Sequence, residues 1–209
     1  MPKAIVTSGP TRERIDPVRY ITNDSSGKQG HAIANALSQD GFDVILISGS
    51  VNIPTPEGVK LIKVESADEM LEAVESSLPA DVFVSAAAVC DWKVDRPKTH
   101  KMKKIANEDI LEIKFIKTPD ILKIISAHKK RPKIVVGFAA ETENLIENAK
   151  NKLKSKGCDY ILANDVSNGV FGSDSNTISF VERNGVESWD IMAKQKVASK
   201  LVNRILEEL

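Results

Sequence analysis

The chain has 209 residues, with 29 Lys or Arg against 29 Asp or Glu and therefore no formal net charge. This length suits about one domain, and the charge balance argues against a general nucleic-acid or membrane-surface binder. A hydrophobic content of 42% with 28% charged residues excludes a disordered chain. The most apolar stretch, Val82 to Cys90, is far shorter than the ~20 residues a membrane helix needs. The N-terminus has no basic segment leading into an apolar run. Cys90 and Cys158 form neither a disulfide framework nor a metal-ligand spacing. Together these features predict a cytoplasmic protein with reduced thiols.

Taken in chain order, Ala4–Thr7 is a short β-branched run that ends in Ser8-Gly9-Pro10. A long polar loop, Thr11–Asp24, follows. Gly27–Gln39 has helix periodicity, with Ile33, Ala34 and Leu37 on one face and Gly41 as the stop. Asp43–Ser48 reads as a second strand and Leu61–Val64 as a third. Ser66-Ala67-Asp68-Glu69 has the form of a capping box opening a helix to about Ser77. Asp81–Ala88 is a continuous apolar run, as in a strand covered on both faces. Asp91–Lys104 is polar, contains Pro97 and holds six Lys or Arg in fourteen residues.

A strand is predicted at Glu112–Ile116, then a helix start at Thr118-Pro119, with Thr118 as N-cap and Pro119 in the first helical position. Ile134–Ala139 reads as a buried strand, Asn144–Lys156 as a helix and Tyr160–Ala163 as a strand. Thr177–Val181 and Val186–Trp189 flank Asn184-Gly185, a hairpin signal. Ala193–Leu209 closes as an amphipathic helix. The pattern predicts one α/β domain over residues 1–209: a Rossmann-like, mostly parallel sheet with helices on both faces and a small antiparallel extension near the C-terminus.

Ligands of open parallel sheets bind beyond the carboxyl ends of the strands. After the first strand, Arg12, Arg14 and Arg19 precede Asn23-Asp24-Ser25-Ser26-Gly27-Lys28-Gln29-Gly30. Hydroxyls, glycine and free N–H groups at a helix start suit an anion, and Gly27, Gly30 and Ala34 permit close packing on the sheet. The pattern is not G-x-G-x-x-G. Nor is it a Walker A loop, because Gln29 follows Gly27-Lys28 and Thr22 stands at the leading glycine position. A well-capped helix beside an exposed basic loop would look the same. Lys93, Arg96, Lys98, Lys101, Lys103 and Lys104 suit a multiply charged ligand, or simply a solvated face. On the Asn144–Lys156 helix, Lys152 and Lys156 border the apolar stripe of Leu145, Ile146, Ala149 and Leu153, whereas Lys150 and Lys154 lie further round. Spacing does not decide whether the first pair meets an anion or snorkels to water. His31, His100 and His128 are scattered and form no catalytic or metal constellation. Trp92 suits either base stacking or a half-buried anchor, and Asn164-Asp165 either a turn or a site.

The segments SGPTRERIDPVRYITNDSSGKQG, AAAVCDWKV with the lysine loop behind it, KTPDIL, VVGFAAET, ILANDV and Gly172-Ser173-Asp174-Ser175-Asn176 occur in this order. The chain thereby resembles the bacterial phosphopantothenoylcysteine synthetases, often the C-terminal half of a bifunctional flavoprotein of coenzyme A biosynthesis. The resemblance implies a ligase that joins 4′-phosphopantothenate to cysteine with CTP, through an acyl-cytidylate, releasing pyrophosphate and CMP. It also implies Mg²⁺ accompanying the triphosphate, a homodimer that completes the site and, as the flavin-binding half is absent, no FMN on this chain.

By position, Asn23 matches the asparagine that handles the acyl-cytidylate, and Lys101 the lysine that neutralises the triphosphate. Asp91, Ser85, Ala86, Ala87, Pro119, Asp120, Ile121, Leu122, Phe138, Lys152 and Lys156 match positions that hold CTP. Ser25, Ser26 and Gly27 correspond to the anion-binding turn, and Arg19 with Asn23 to the substrate side. A nicotinamide-dependent oxidoreductase and a non-catalytic nucleotide-binding scaffold are the competing readings. The first lacks its glycine fingerprint, and the second is disfavoured by an intact Asn23 and Lys101.

Overall fold

The computed structural model describes residues 1–103, 109–165 and 175–209. β1 (Lys3–Ser8) lies mid-sheet and is covered on both faces, as its apolar run requires. The polar segment after it forms a hairpin, β2 (Arg12–Asp16) and β3 (Arg19–Thr22), where the sequence predicts only a loop. α1 (Lys28–Gln39) leads to β4 (Asp43–Ser48). β5 (Lys60–Lys63) follows without an intervening helix, because Pro54, Pro56 and Gly58 occupy the connection. α2 (Ala67–Ser77) begins at Ser66, whose hydroxyl accepts from Glu69 N–H at 3.2 Å. The reciprocal bond of the box is displaced by one residue: the Glu69 carboxylate accepts from Glu65 N–H at 2.7 Å.

β6 (Val82–Ser85) is shorter than the apolar run, since residues beyond Ser85 bond instead to the chain leaving β1, as in Ala88 N–H to Gly9 O at 2.9 Å. β7 (Trp92–Val94) and β8 (Phe115–Lys117) pair as a second small antiparallel ribbon. β8 begins three residues later than predicted, and β7 lies in the polar segment Asp91–Lys104, where no strand is predicted. α3 (Ile121–Ser126) corrects another expectation: its N-cap is Asp120, which accepts from Lys123 N–H at 3.1 Å. Thr118 is unavailable as a cap because its N–H bonds to Asp91 O and its hydroxyl to Cys90 O. β9 (Ile134–Glu141), α4 (Leu145–Lys156) and β10 (Tyr160–Asp165) complete the alternation. β11 (Ser175–Glu182) and β12 (Gly185–Ala193) form the predicted hairpin, but Glu182 pairs with Gly185, so the turn residues are Arg183-Asn184. α5 (Lys194–Leu206) ends the fold.

The sheet order is β12-β11-β10-β9-β6-β1-β4-β5, parallel from β10 to β5 and antiparallel at β11 and β12. Numbered among themselves, the parallel strands run 3-2-1-4-5-6, the order of dinucleotide-binding sheets, with the switch between β1 and β6. Strand side chains alternate between two cores. Val6, Leu46 and Val84 meet α1 and α5, whereas Ile5, Ile47 and Phe83 meet α2, α3 and α4. No helix among the described residues is long and apolar enough to cross a membrane.

Candidate functional site

A cleft of about 450 Å³ opens beyond the carboxyl ends of β6 and β9, on the α3–α4 side of the switch point. Ser85 and Ala87 form its floor, Phe138 and Leu122 an apolar wall, and Pro119, Asp120 and Ile121 the rim at the start of α3. Asp91 enters from the segment after β6, and Lys152 and Lys156 from α4. Lys150 and Lys154 instead line a separate cavity with Cys158 and Arg183. The helix turn that sets lysines four apart on one face thus gives the cleft two cations, while the intervening pair serves another surface. Burial, with Lys156 beside it, holds the Lys152 ammonium below the usual lysine range. Lys156 is ion-paired to Asp120, which also caps α3.

Trp92, which the sequence leaves open between base stacking and a half-buried anchor, also lines the cleft, with three residues that the sequence does not single out as site residues: Val89, Lys117 and Thr118. Trp92 is half-exposed, and the Lys117 ammonium lies 6.0 Å from its ring centroid. The aromatic beside Asp91 was the one available signal for this wall. Ala86 departs from the expected set. Alternation along the strand turns it to the opposite face, against the core that holds α1 and α5.

The turn before α1 lies on the other side of the β1 loop. Gly27 has φ +72°, and a Cβ there would stand 2.9 Å from Val51 Cγ1, so glycine is required. Its carbonyl accepts from the Ser8 hydroxyl at 2.9 Å and from His31 N–H at 3.1 Å. Ser25 and Ser26 hydroxyls accept from Gly27 N–H and Lys28 N–H at 3.3 and 3.4 Å. Asn23 links this turn to the cleft, since its side-chain amide donates to Val89 O at 3.0 Å. Arg19 and Lys101 stand apart from the cleft lining. The Arg19 guanidinium is engaged by Asp16 and by Met102 O, and Lys101 is exposed on the neighbouring segment. Lys104 and residues 172–174 of the sequence motif lie outside the described residues.

The remaining conspicuous groups are structural. Cys90 and Cys158 are buried free thiols, and burial pushes Cys158 up to about 11. His31 bonds within the Ser8–Gly27 turn, and burial keeps its imidazole below the ordinary value. Among the described residues, no group of three or more His, Cys, Asp or Glu is arranged to hold a metal ion. Asn164 and Asp165 are the last residues of β10, opposite Ala140 and Glu141.

Comparison with known proteins adds to this geometry. The profile of the family described as DNA/pantothenate metabolism flavoprotein C-terminal domain matches residues 2–209. The chain is 46% identical over 204 residues to the "Coenzyme A biosynthesis bifunctional protein CoaBC" of Haemophilus influenzae, covering 97% of this chain and 50% of that protein. To the protein of the same name from Bacillus subtilis it is 44% identical over 206 residues, covering 96% and 50%. The chain therefore spans about half the length of the curated relatives it matches. A crystal structure of the C-terminal domain of a CoaBC protein superimposes with a TM-score of 0.83 at 36% identity, covering 100% of this chain and 97% of that one. With sequence and sheet matching from end to end, the chain belongs to the family of DNA/pantothenate metabolism flavoprotein C-terminal domains.

Proposed function

We propose that residues 1–209 form a single synthetase domain that joins 4′-phosphopantothenate to cysteine at the expense of CTP, as a step of coenzyme A biosynthesis. The observation that carries this reading is the convergence of Lys152, Lys156, Asp91 and Phe138 with Ser85 in one cleft at the carboxyl end of the sheet. The names of the relatives, coenzyme A biosynthesis proteins matched over this half of their length, supply the pathway.

A carboxylate is a poor acyl donor until its oxygen belongs to a good leaving group. In the first step the phosphopantothenate carboxylate oxygen attacks the α-phosphorus of CTP. The bond from that phosphorus to the bridging oxygen breaks, and pyrophosphate departs. In the second step the amine of cysteine attacks the acyl carbon, the bond to the CMP oxygen breaks, and the amine gives up a proton. Splitting the reaction in this way replaces one hard step by two easier ones.

Lys152 and Lys156 neutralise phosphate charge from α4, and Phe138 and Leu122 provide the flat apolar wall that a base requires. Asn23 donates its amide to the oxyanion that develops during amine attack. The turn at Ser25, Ser26 and Gly27 offers hydroxyls and helix N–H groups to an anion. Lys101 stands apart from the cleft lining of its own chain, which supports a homodimer in which a second copy brings this cation to the triphosphate. The donor set fits Mg²⁺ carried by the triphosphate: Asp120 is occupied by Lys156 and the α3 cap, which leaves Asp91 as the carboxylate free to approach it. When bound, Mg²⁺ screens charge on the phosphate oxygens.

Supplying CTP, ATP or NAD(P)H separately with phosphopantothenate and cysteine tests the reading. Pyrophosphate release and amide formation with CTP are expected. Nicotinamide binding without either product overturns it.

A further inference from the structure

The Asp16 carboxylate has no exposed surface, yet it serves no element of the central sheet. Its Oδ1 accepts from Val18 N–H and Arg19 N–H, both at 2.9 Å. Its Oδ2 accepts from Arg19 Nε at 3.0 Å, from Arg19 Nη2, and from Met102 N–H at 3.1 Å. The first four donors belong to the turn between β2 and β3 and satisfy a local need. The fifth comes from 86 residues away and is not needed to close that turn. The Arg19 guanidinium completes the arrangement by donating through Nη2 to Met102 O at 3.1 Å. Both polar backbone atoms of Met102 are therefore gripped by one ion pair, whose carboxylate is buried and whose guanidinium is partly exposed. Four residues earlier, Lys98 N–H donates to Ile15 O at 2.9 Å.

Lys101 lies within this short span, immediately before the gripped residue, and its own side chain is exposed. A lysine has many rotamers, and holding it at a phosphate costs conformational entropy. Fixing its backbone beforehand lowers that cost and sets where the ammonium can reach. The same geometry gives Arg19 a role that needs no contact with substrate, because its guanidinium already has two partners.

We infer that Asp16, with Arg19, is the positioning residue for Lys101, clamping Met102 so that the lysine is presented to the triphosphate during activation. This rests on the proposed function, in which Lys101 neutralises the triphosphate.

The test measures pyrophosphate release from CTP with phosphopantothenate for Lys101→Gln, Asp16→Asn, the double variant and Met102→Pro. Asparagine keeps the size of Asp16, loses the charge and turns an amide donor toward other donors. Proline removes the Met102 N–H and leaves Asp16 intact, but it also fixes φ at 102 and restricts the Lys101 backbone, so if Asp16→Asn fails to fold, wild-type release by Met102→Pro is the decisive result. Asp16→Asn is expected to lower kcat by about 10²-fold, leaving KM for CTP near wild type. The double variant is expected to be no slower than Lys101→Gln alone, since residues acting as one unit are not additive. A merely structural Asp16 would instead add its loss to that of Lys101→Gln. Wild-type kcat in both Asp16→Asn and Met102→Pro, with Lys101→Gln slow, overturns the inference and leaves the proposed function standing. Wild-type release by Lys101→Gln defeats the role assigned to Lys101 and the inference with it.

Discussion

Gly137→Ala probes how the core supports the cleft. Gly137 lies in β9 between Ser85 of β6 and Ile161 of β10. A Cβ there would stand 2.6 Å from Leu122 Cδ2 and 2.7 Å from Ile161 Cδ1. Carbon atoms rest at about 3.5–4.0 Å, so each methyl must retreat by about 1 Å. Ile161 is fully buried and has nowhere to go, whereas Leu122 borders the cleft and yields on that side. Overpacking of this kind costs about 1–3 kcal/mol, and replacing glycine in a strand returns about 0.5–1 kcal/mol. The net loss centres on about 1 kcal/mol, a fall of about 2–4 °C in Tm for a chain of this size. Calorimetric melting and CTP titration of the same variant should show lower stability together with weaker binding. Leu122→Ala in the same molecule should recover part of both, because the two sites share one contact. An unchanged Tm with unchanged CTP affinity would refute the reasoning.

Replacing Lys152 and Lys156 by Ala should weaken CTP binding by about tenfold or more, as titration would show, while the same change at Lys150 and Lys154 leaves it near wild type. Equal losses would contradict the placement of the pairs on different surfaces. Asn23→Ala should still release pyrophosphate but form amide about 10²-fold more slowly, which product analysis resolves step by step. Because the Lys152 pKa is depressed, its charge is lost at lower pH than that of an ordinary lysine. CTP affinity should fall as pH rises through that pKa, and Lys152→Arg should flatten the profile. The unbound fold has the opposite sign, since it binds fewer protons than the unfolded chain there and gains stability as pH rises.

The central sheet is legible because its strands are contiguous apolar runs that need cover on both sides; Asp43–Ser48 is found with the boundaries its residues suggest. The β2–β3 ribbon and β7 are not, and β8 is legible only with an earlier start. The residues of β2 are largely polar, and what orders them is a set of distant partners: Glu13 accepting from Ala67 N–H at 2.9 Å, Asp16 from Met102. α3 starts two residues later than its local sequence predicts for a similar reason, since Thr118 bonds to Cys90 and Asp91, a connection no local cap rule contains. For the cleft, helix spacing puts Lys152 and Lys156 at one margin but says nothing of what faces them. The resemblance named most of the residues that line it, while strand alternation would have set Ala86 apart from Ser85 and Ala87.

The pairing of α1 with α5 has a consequence for how the chain is made. The face of the sheet carrying Val6, Leu46 and Val84 is closed by one helix from the first fifth of the chain and another from its last sixteen residues. A ribosome that has delivered every parallel strand has still not delivered the second of these. Until it does, Ile33, Leu37 and their neighbours lack half of their cover. This layer of the protein can be completed only once α5 has left the ribosome.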